Sequence, residues 1–390
     1  MEFNDDCVCK IKVVGVGGGG NNAVNRMVAA GIRGAKFIAV NTDKQDLNES
    51  TADEILQIGR ELTKGLGAGA NPEIGRRAAE ESEQEIREML KDTNLLFITA
   101  GFGGGTGNGA APVIARIAHE MGILTIGVVT KPFRFEAPRR SANAEQGLEE
   151  MRKYVDSLVV IPNEKLYAIL KKDVSFVDAF RYADDVLRQA IQGVSELISV
   201  PGLINLDFAD VSTIMKDKGI AHMGIGRGEG PNKTIDAVRQ AVTSQLLETS
   251  IEGATGILIN IVGGKDLTLS EVYEAVDLVR DVADPNCNVI FGARINNNQS
   301  GVTEISVIAT GFDEKNKPAE ANVPEFKDNS ADIKTFTEPA EKVEEPKKEE
   351  PKEEVKQDVA EEKVEDISIQ PKKPFIDDED LPPFLRKLRK

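Results

Sequence analysis

Short apolar runs alternate with segments of helical spacing along the first part of this sequence, and this pattern narrows the folds that the chain can adopt. Five runs, most of them rich in β-branched residues, precede residue 163: Ile11–Val16, Lys36–Val40, Leu95–Thr99, Ile123–Val129 and Leu158–Ile161. Helical patterns lie between several of them: Asn22–Ala30, Ile74–Leu90, Gly109–Met121 and Ala144–Val155. Strands that alternate with helices favour a parallel sheet covered on both faces. The fold class is therefore predicted to be α/β, with a Rossmann-like parallel sheet in the first part of the chain.

A long helix and a second, smaller α/β unit are predicted to follow. Phe176–Leu197 has apolar residues at helical spacing and is followed by Pro201-Gly202, which is a stop signal. The elements predicted within residues 203–312 include the strands Gly256–Val262, Val289–Arg294 and Thr303–Thr310 and the helix Ser270–Asp281. The last two strands are joined by the short segment Asn296–Gly301, so we expect them to pair antiparallel.

The composition changes sharply after residue 312. Between Glu338 and Asp366, 19 of 29 residues are charged, and prolines interrupt the run. Such a stretch buries too little apolar surface to offset the entropy of ordering it, so residues 313–374 are predicted to be a disordered acidic linker, with a partial helix as the alternative. Residues 375–390 place apolar anchors between an acidic and a basic block, which is typical of a partner-binding peptide.

The predicted organisation thus has six parts. They are a flexible N-terminus (1–10), a nucleotide-binding domain (11–175), a central core helix (176–201), a C-terminal α/β domain with the acidic loop described below (202–312), the linker (313–374) and the terminal peptide (375–390).

Charge and residue usage exclude several classes of protein. With 48 Lys and Arg against 65 Asp and Glu, the net charge of −17 disfavours nucleic-acid binding. No run of about 18 apolar residues predicts a membrane-spanning helix, and the acidic start lacks an apolar signal core, so we expect a cytosolic protein without direct membrane insertion. Three cysteines and two histidines make a disulfide framework, a zinc site and a Ser-His-Asp hydrolase improbable.

The first glycine-rich segment follows the first strand and precedes a helix. Gly15-Val16-Gly17-Gly18-Gly19-Gly20 lets backbone N–H groups approach an anion at a helix N-terminus. The spacing of Gly15, Gly17 and Gly20 also matches the dinucleotide fingerprint, and Asp43 stands where a ribose-binding acid belongs. Taken alone, this segment indicates an NAD(P)-binding Rossmann oxidoreductase, which we keep as the alternative function.

Two further glycine loops favour a triphosphate over a dinucleotide. One is Gly65–Pro72, which leads into a helix, and the other is Gly101–Gly109, which lies between an apolar strand and a helix. A single pyrophosphate needs one cradle, whereas several cradles at the strand ends suit a longer and more highly charged ligand. No Walker loop is present, because Gly264-Lys265 is followed by Asp266.

A pair of carboxylates follows the long helix. Asp207 and Asp210 are three residues apart, which puts them on one face if the segment is helical. Paired carboxylates can orient a water molecule, but they would repel a triphosphate bound nearby in the same subunit. Capping of a helix by either residue is the alternative.

These motifs together resemble the tubulin/FtsZ GTPase family. Gly103-Gly104-Gly105-Thr106-Gly107 is similar to the tubulin signature loop, and the segments at 15–25 and 65–72 match in the same order. The resemblance covers residues 11–312 and, with the linker and terminal peptide, essentially the whole chain. Asn108 departs from the pattern, since the family usually has Thr there, and we expect this to tune the loop rather than abolish its function.

The resemblance implies a site for GTP or GDP, with Mg²⁺ and with no residue assigned as a metal ligand. The implied phosphate-binding residues are Gly18, Gly19, Asn22, Gly104, Gly105, Thr106 and Gly107, with Ala68 and Ala70 near the γ-phosphate. Glu136 and Arg140 would contact the ribose, Asn163 and Asp184 the guanine, and Phe180 would stack on the base. Guanine presents two donors that one carboxylate accepts together, but the residues alone leave Asp185 as a competitor of Asp184.

The resemblance also implies how the chain acts. Asp207, Asp210 and Asn205 would complete the catalytic site of the next subunit in head-to-tail protofilaments, so that GTP hydrolysis depends on polymerisation. The expected role is a cytoskeletal GTPase of the bacterial cytokinetic ring, located at mid-cell on the inner face of the membrane. Residues 375–390 would dock membrane-anchoring division proteins such as FtsA or SepF, although Pro383 stands where Thr is frequent.

Overall fold

The computed structural model describes residues 9–169, 174–200, 202–244, 251–296 and 299–312. Its described part forms a mostly parallel ten-stranded sheet with the order β3-β2-β1-β4-β5-β6-β7-β10-β8-β9. The strands are β1 Ile11–Val16, β2 Ala35–Asn41, β3 Glu54–Gln57, β4 Leu95–Gly101, β5 Leu124–Lys131, β6 Ser157–Pro162, β7 Gly219–Glu229, β8 Gly256–Gly263, β9 Asn288–Ile295 and β10 Val302–Thr310. The mixed α/β fold with a mostly parallel sheet confirms the predicted fold class.

Twelve helices of the described residues cover this sheet. They are α1 Gly17–Ala29, α2 Lys44–Asn48, α3 Arg60–Thr63, α4 Pro72–Glu81, α5 Glu83–Met89, α6 Thr106–Glu120, α7 Pro138–Met151, α8 Asn163–Ile169, α9 Phe176–Ser199, α10 Phe208–Met215, α11 Lys233–Val242 and α12 Leu269–Val282. The long helix α9 is strongly amphipathic, and its apolar positions, among them Val186, Ile191 and Val194, are buried.

Three hydrophobic clusters hold the layers together. One face of the parallel strands packs against α1 and α9, and the other face packs against α4, α5, α6 and α7. A third cluster joins α11 and α12 to β8 and β10. Burial on both faces explains why β1 and β4 read as continuous apolar runs rather than as alternating patterns.

The order β3-β2-β1-β4-β5-β6 positions the candidate site. In open α/β sheets, ligands bind outside the carboxyl ends of the strands, at the point where the strand order reverses. Here β1 and β4 are neighbours at that point, and each leads directly into a glycine-containing segment and a helix.

The predicted pairing of the last two strands is wrong. β10 does run antiparallel, but its partners are β7 and β8, and β9 lies parallel to β8 at the far edge of the sheet. All eight residues of β8 are buried, so this strand needs a neighbour on each side, whereas β9 is mostly half-exposed and suits an edge. The predicted pairing assumed that strands close in sequence also pair in space.

Four of the predicted helices also differ from the observed ones in their boundaries. The helix predicted over Ala144–Val155 is α7, which begins six residues earlier, at Pro138, and α6 begins at Thr106 rather than at Gly109. The first helix begins within the glycines, at Gly17 rather than at Asn22, so the glycines form its first turn. The segment predicted as one helix over Ile74–Leu90 is two helices that meet at Ser82.

No helix among the described residues is long and apolar enough to cross a bilayer. The predicted linker, the terminal peptide and residues 1–8 of the predicted flexible N-terminus lie outside the described residues, and so does Pro201.

Candidate active site

The three glycine segments meet at the carboxyl ends of β1 and β4. A Cβ atom at Gly17 would lie 2.8 Å from the backbone nitrogen of Gly107, and one at Gly105 would lie 2.8 Å from Cβ of Ala68. Gly17 has a φ of +70°, a conformation that glycine adopts without strain. The segments are therefore packed backbone to backbone, with no room for larger residues at these contacts.

Two helices present uncapped N-termini at this junction. Neither α1 nor α6 has a capping side chain or an acidic residue in its first turn. Side chains cap five other helices, α2, α4, α9, α10 and α12, whereas α3, α5, α7 and α11 also lack a capping side chain. The backbone N–H groups and the positive ends of α1 and α6 thus favour an anion between them. We call this junction of residues 17–22, 66–71 and 103–107 the cradle.

Four of the seven predicted phosphate-binding residues are at least partly exposed in the cradle. Gly18, Gly19 and Asn22 are exposed, and Gly104 is half-exposed. A Cβ atom at Gly104 would have no neighbour within 4 Å. Thr106 is buried, and its Oγ1 lies 2.6 Å from Oγ1 of Thr42. In the remaining segment, Ala68 is buried against Gly105, while Ala70 is exposed with a φ of +58°.

Asn108, the departure from the family pattern, supports the loop from behind. Its side chain is 4% exposed, and its Oδ1 accepts a hydrogen bond of 3.0 Å from the backbone N–H of Gly103. Gly103 has a φ of +95°, so the bond holds a conformation that only glycine adopts readily. Asn108 therefore stabilises the shape of the loop.

Asp43 caps a helix, which differs from the ribose-binding role that the dinucleotide fingerprint predicts for it. Its Oδ1 accepts a 2.8 Å hydrogen bond from the backbone N–H of Gln45 and caps α2.

Sequence reasoning missed Asp46, one turn further on, whose Oδ2 would lie 3.4 Å from a Cβ atom at Gly18. Burial raises the pKa of Asp46, and the side-chain amides of Asn21 and Asn41 donate to its carboxylate.

The predicted base-binding residues cluster beside the start of α9. Phe180 packs edge-on against Phe133, with ring centroids 5.3 Å apart. Asn163 begins α8 and is 5% exposed, and its Oδ1 is buried with no hydrogen-bond partner in the described structure. An unpaired buried acceptor is costly, so this atom is suited to a ligand donor.

The adjacent acids of α9 face different surroundings. Asp184 accepts a 3.0 Å hydrogen bond from Nε of Arg26 on α1, the helix that begins in the cradle. Asp185 instead binds Arg188 and Gln189, at 2.7 and 2.6 Å, and lines the cleft between α9 and the strands β7 to β10. Of the two, Asp184 is on the side of the cradle.

Glu136 and Arg140 form an ion pair with each other where α7 begins. Glu136 also accepts a 3.0 Å bond from the backbone N–H of Phe133, and its side chain is 12% exposed. The Arg140 backbone lies against Gly103 of the cradle. The predicted ribose-binding pair is therefore adjacent to the cradle.

The acidic loop lies at the other end of α9. Asp207 caps α10, where its Oδ1 accepts a 2.7 Å bond from the backbone N–H of Asp210, and Asp210 Oδ2 accepts in return from Asp207 N–H. The helix-capping alternative is thus observed, yet each carboxylate keeps a second oxygen. Asn205 and Asp207 are exposed, and Asn205 Oδ1 accepts from the N–H of Gly202.

The length of α9 separates the acidic loop from the cradle. Phe180 and Ser199 are separated by about 28 Å of helix at 1.5 Å per residue. The Ser199 end packs against Gly34, which precedes β2, whereas the cradle lies at the carboxyl ends of β1 and β4, which run in the same direction as β2. The acids therefore lie beyond the amino ends of the parallel strands, whereas the cradle lies at their carboxyl ends.

Comparisons with known proteins agree with this architecture. The Tubulin/FtsZ family GTPase domain matches residues 10–171, and the C-terminal domain of the FtsZ family matches residues 219–313. A solved structure of an empty FtsZ dimer from M. jannaschii is 46% identical, with a TM-score of 0.76, over 79% of this chain and 89% of that chain. The chain belongs to the FtsZ family. It is therefore a tubulin-like GTPase of the family that acts in cell division, and the NAD(P)-dependent oxidoreductase is not supported.

More distant structures share the fold. CetZ2 from Haloferax volcanii, solved as a GTPγS-bound protofilament, is 22% identical, with a TM-score of 0.67, over 78% of this chain and 94% of that chain. The GDP-bound CetZ1 monomer from the same organism is also 22% identical, with a TM-score of 0.68, over 78% and 95%.

Proposed function

We propose that this chain binds GTP in the cradle and hydrolyses it only when a second copy supplies the acidic loop. The observation that carries the proposal is that the base-binding residues and the acids lie at different ends of α9: the N–H of Leu206, next to Asp207, bonds to the carbonyl of Leu197, which lies about 20 Å along the helix from Asp184. No side-chain movement spans that distance, so the acids of one chain act on the nucleotide of another. A cradle at one end and acids at the other give a head-to-tail contact, which repeats into an open filament unless it closes into a ring. The related FtsZ solved as a dimer is consistent with such self-association.

Each candidate residue has a role that its surroundings support. The N-termini of α1 and α6 with Gly18, Gly19, Asn22 and Gly104–Gly107 would hold the phosphates, and Ala68 and Ala70 would line the γ-phosphate side. Glu136 and Arg140 would bind the ribose. Asn163, Phe180 and Asp184 would hold guanine, and the contact of Asp184 with Arg26 favours it over Asp185 as the acid that reads the base.

Hydrolysis would depend on positioning and electrostatics rather than on a covalent intermediate. Asp207 and Asp210 of the incoming copy would orient a water molecule in line with the γ-phosphorus, and Asn205 would contact the nucleotide end. The capping bonds hold these two carboxylates at a fixed spacing on the first turn of α10. Attack by the water breaks the bond to the β-phosphate oxygen and releases GDP and phosphate.

Mg²⁺ fits the donors beside the cradle. Asp46 supplies a half-buried carboxylate near Gly18, and Asn21 supplies a buried Oδ1 without a partner in the described structure. No three His, Cys, Asp or Glu side chains in the described residues are grouped to hold an ion by themselves, and Mg²⁺ commonly takes one or two protein oxygens together with phosphate oxygens and water. Asp46 and Asn21 would therefore hold the ion, which would neutralise charge on the phosphates.

The wider role follows from the family. We place the protein in the cytosol, in a filament ring at the division site, with residues 375–390 as the segment that docks membrane-anchoring partners through the tether of residues 313–374. The domain boundaries given in the sequence analysis remain part of this proposal.

Mixing two inactive variants tests the shared site. Thr106→Ala damages the cradle and Asp207→Ala damages the acidic loop, so each alone should lose most GTP turnover. Mixed in equal amounts they should recover about a quarter of the normal activity, because half of the cradles and half of the loops remain intact and meet at random. Phosphate release is the measurement.

The matched control mixes Asp207→Ala with Asp210→Ala, which damage the same half and should not complement. No recovery in the first mixture, with both variants still assembling, would show that the site lies within one chain.

A further inference from the structure

An ion pair joins the helix of the cradle to the helix of the base-binding residues. Nε of Arg26 on α1 lies 3.0 Å from Oδ2 of Asp184 on α9, with side chains that are 36% and 16% exposed. The helices α1 and α9 pack directly against each other. This contact therefore lies at the partly exposed margin of the interface between the two elements that would hold opposite ends of a nucleotide.

The surroundings of Asp184 oppose its charge, apart from Arg26. Burial raises the pKa of Asp184 and the neighbouring Asp185 raises it further, whereas the hydrogen bond and the charge of Arg26 lower it. The effects that raise the pKa of Asp184 prevail, so this carboxylate is protonated more readily than that of an exposed aspartate.

The following charged groups near α9 either pair with groups other than Asp184 or are exposed to solvent. Among the elements packed against α9, β5 carries Lys131, which pairs with Glu145 at 3.0 Å. The helix α8 carries Glu164, which accepts from the backbone N–H of Arg134, and the exposed Lys165. β8 has no charged residue. Arg188 and Arg181, on α9 itself, pair with Asp185 and Asp178.

Guanine recognition depends on the state of this carboxylate. An ionised carboxylate has about four acceptor positions, and Arg26 Nε uses one of them on Oδ2. The others can accept the N1–H and the 2-amino group of guanine. A protonated carboxyl would lose acceptor capacity and could direct its own O–H at the N1–H and 2-amino donors, which cannot accept it.

We infer that Arg26 is a positioning residue for base selection: it holds Asp184 ionised and oriented so that the pocket discriminates guanine from other bases. The inference rests on the proposed role of Asp184 as the group that reads guanine. A guanidinium suits this task because it stays charged at all relevant pH values and donates in a fixed plane.

The test is equilibrium binding of GDP and IDP by competition with a fluorescent GDP analogue, from pH 5.5 to 8, on full-length protein kept dilute. IDP lacks the 2-amino group, so the ratio of the GDP and IDP affinities reports the contact with Asp184. Arg26→Met and Arg26→Gln remove the charge, Arg26→Lys retains it, and Arg188→Met is the matched control, since it removes the arginine paired with Asp185. Thermal unfolding confirms that each variant is folded.

We expect Arg26→Met and Arg26→Gln to weaken GDP binding roughly tenfold or more at pH 7 and to bring the ratio of GDP to IDP affinity close to one. As the pH is lowered, these two variants should lose GDP binding at a higher pH than the unaltered protein does, because Asp184 becomes easier to protonate. Arg26→Lys should restore part of the pH profile, and Arg188→Met should match the unaltered protein.

Two outcomes would overturn the inference. Unchanged GDP binding in both charge-removing variants, or an equal loss for GDP and IDP at every pH, would reduce Arg26 to a packing role. Asp184→Asn with XDP separates this failure from failure of the proposed function. If Asp184 reads the base, this variant loses GDP and gains XDP, whose 2-keto group accepts from the amide; if it binds GDP normally, Asp184 does not read guanine.

Discussion

At the scale of single residues, hydrogen bonding explains why similar side chains have different tasks. Asp43, Asp46, Asp184, Asp185 and Asp207 are five aspartates in helical first turns or on helix faces, and each has its own partners. Capping fixes Asp43 and Asp207, while Asp46 and Asp184 are partly desolvated next to the cradle and the base-binding cluster. Residue type alone does not separate these tasks.

His222 is predicted to make stability fall as the pH is lowered. Burial lowers the pKa of His222 to about 4, and its ring packs edge-on against Phe312. Because the unfolded chain takes up the proton more readily, the free energy of unfolding should decrease as the pH falls from about 6.5 towards 4, by at most about 3 kcal/mol from this group.

Urea unfolding at pH values from 4 to 7 measures this effect. His222→Gln should lose the contribution and unfold with a flatter pH dependence. The exposed His119, the other histidine of the chain, provides the control, since His119→Gln should behave as the unaltered protein does. Equal pH dependence in both variants would contradict the assignment to His222.

At the scale of elements, glycines let α4, α6 and the cradle approach one another. A Cβ atom at Gly109 would collide with the carbonyl oxygen of Pro72, and one at Gly75 with that of Gly105. The close packing of α4 on α6 therefore depends on these positions, while Gly104 faces open space. The same residue type is structural in one place and available to a ligand in another.

Two alanine substitutions should separate these uses of glycine. Gly109→Ala should lower the melting temperature, because the backbone of α4 has to move. Gly104→Ala should leave the melting temperature nearly unchanged and weaken GDP binding roughly tenfold or more, because its methyl group occupies space meant for a phosphate. Calorimetry with and without GDP measures both effects, and normal GDP binding by folded Gly104→Ala would remove Gly104 from the site.

At the scale of the whole molecule, the position of α9 decides how the protein works. The helix runs from the base-binding cluster to the acidic loop, and the sheet continues from β6 through β7 to the strands of the second part. Under the proposed shared site, acids and cradle at opposite ends would favour a filament, and GTP turnover would then require contact between chains.

GTP turnover per chain should therefore rise with protein concentration above a threshold. Below it, few cradles meet an acidic loop, and above it most do. Phosphate release over a dilution series, compared with light scattering in GTP and in GDP, measures this. Constant turnover per chain at dilutions where scattering is absent would contradict the shared site.

Removal of residues 376–390 should spare filament formation and abolish recruitment to membranes. The proposed filament contacts all lie within residues 11–312, and the peptide is predicted to act at the end of a tether. Sedimentation with GTP, and co-flotation with vesicles that carry a membrane-anchoring partner, separate the two properties. Loss of sedimentation would show that the tail contributes to the filament.

The alternation of strands and helices, the glycine segments at the strand ends and the presence of paired acids could be predicted from the amino-acid sequence alone. These features depend on local spacing and backbone freedom, which neighbouring residues specify. Only the tertiary structure placed β10 between β7 and β8, turned Asp184 rather than Asp185 towards Arg26, brought Asp46 to the cradle and set the acids beyond the amino ends of the parallel strands. Those outcomes depend on which distant surfaces bury each other, and contacts between residues far apart in the chain leave no periodic signal in the sequence.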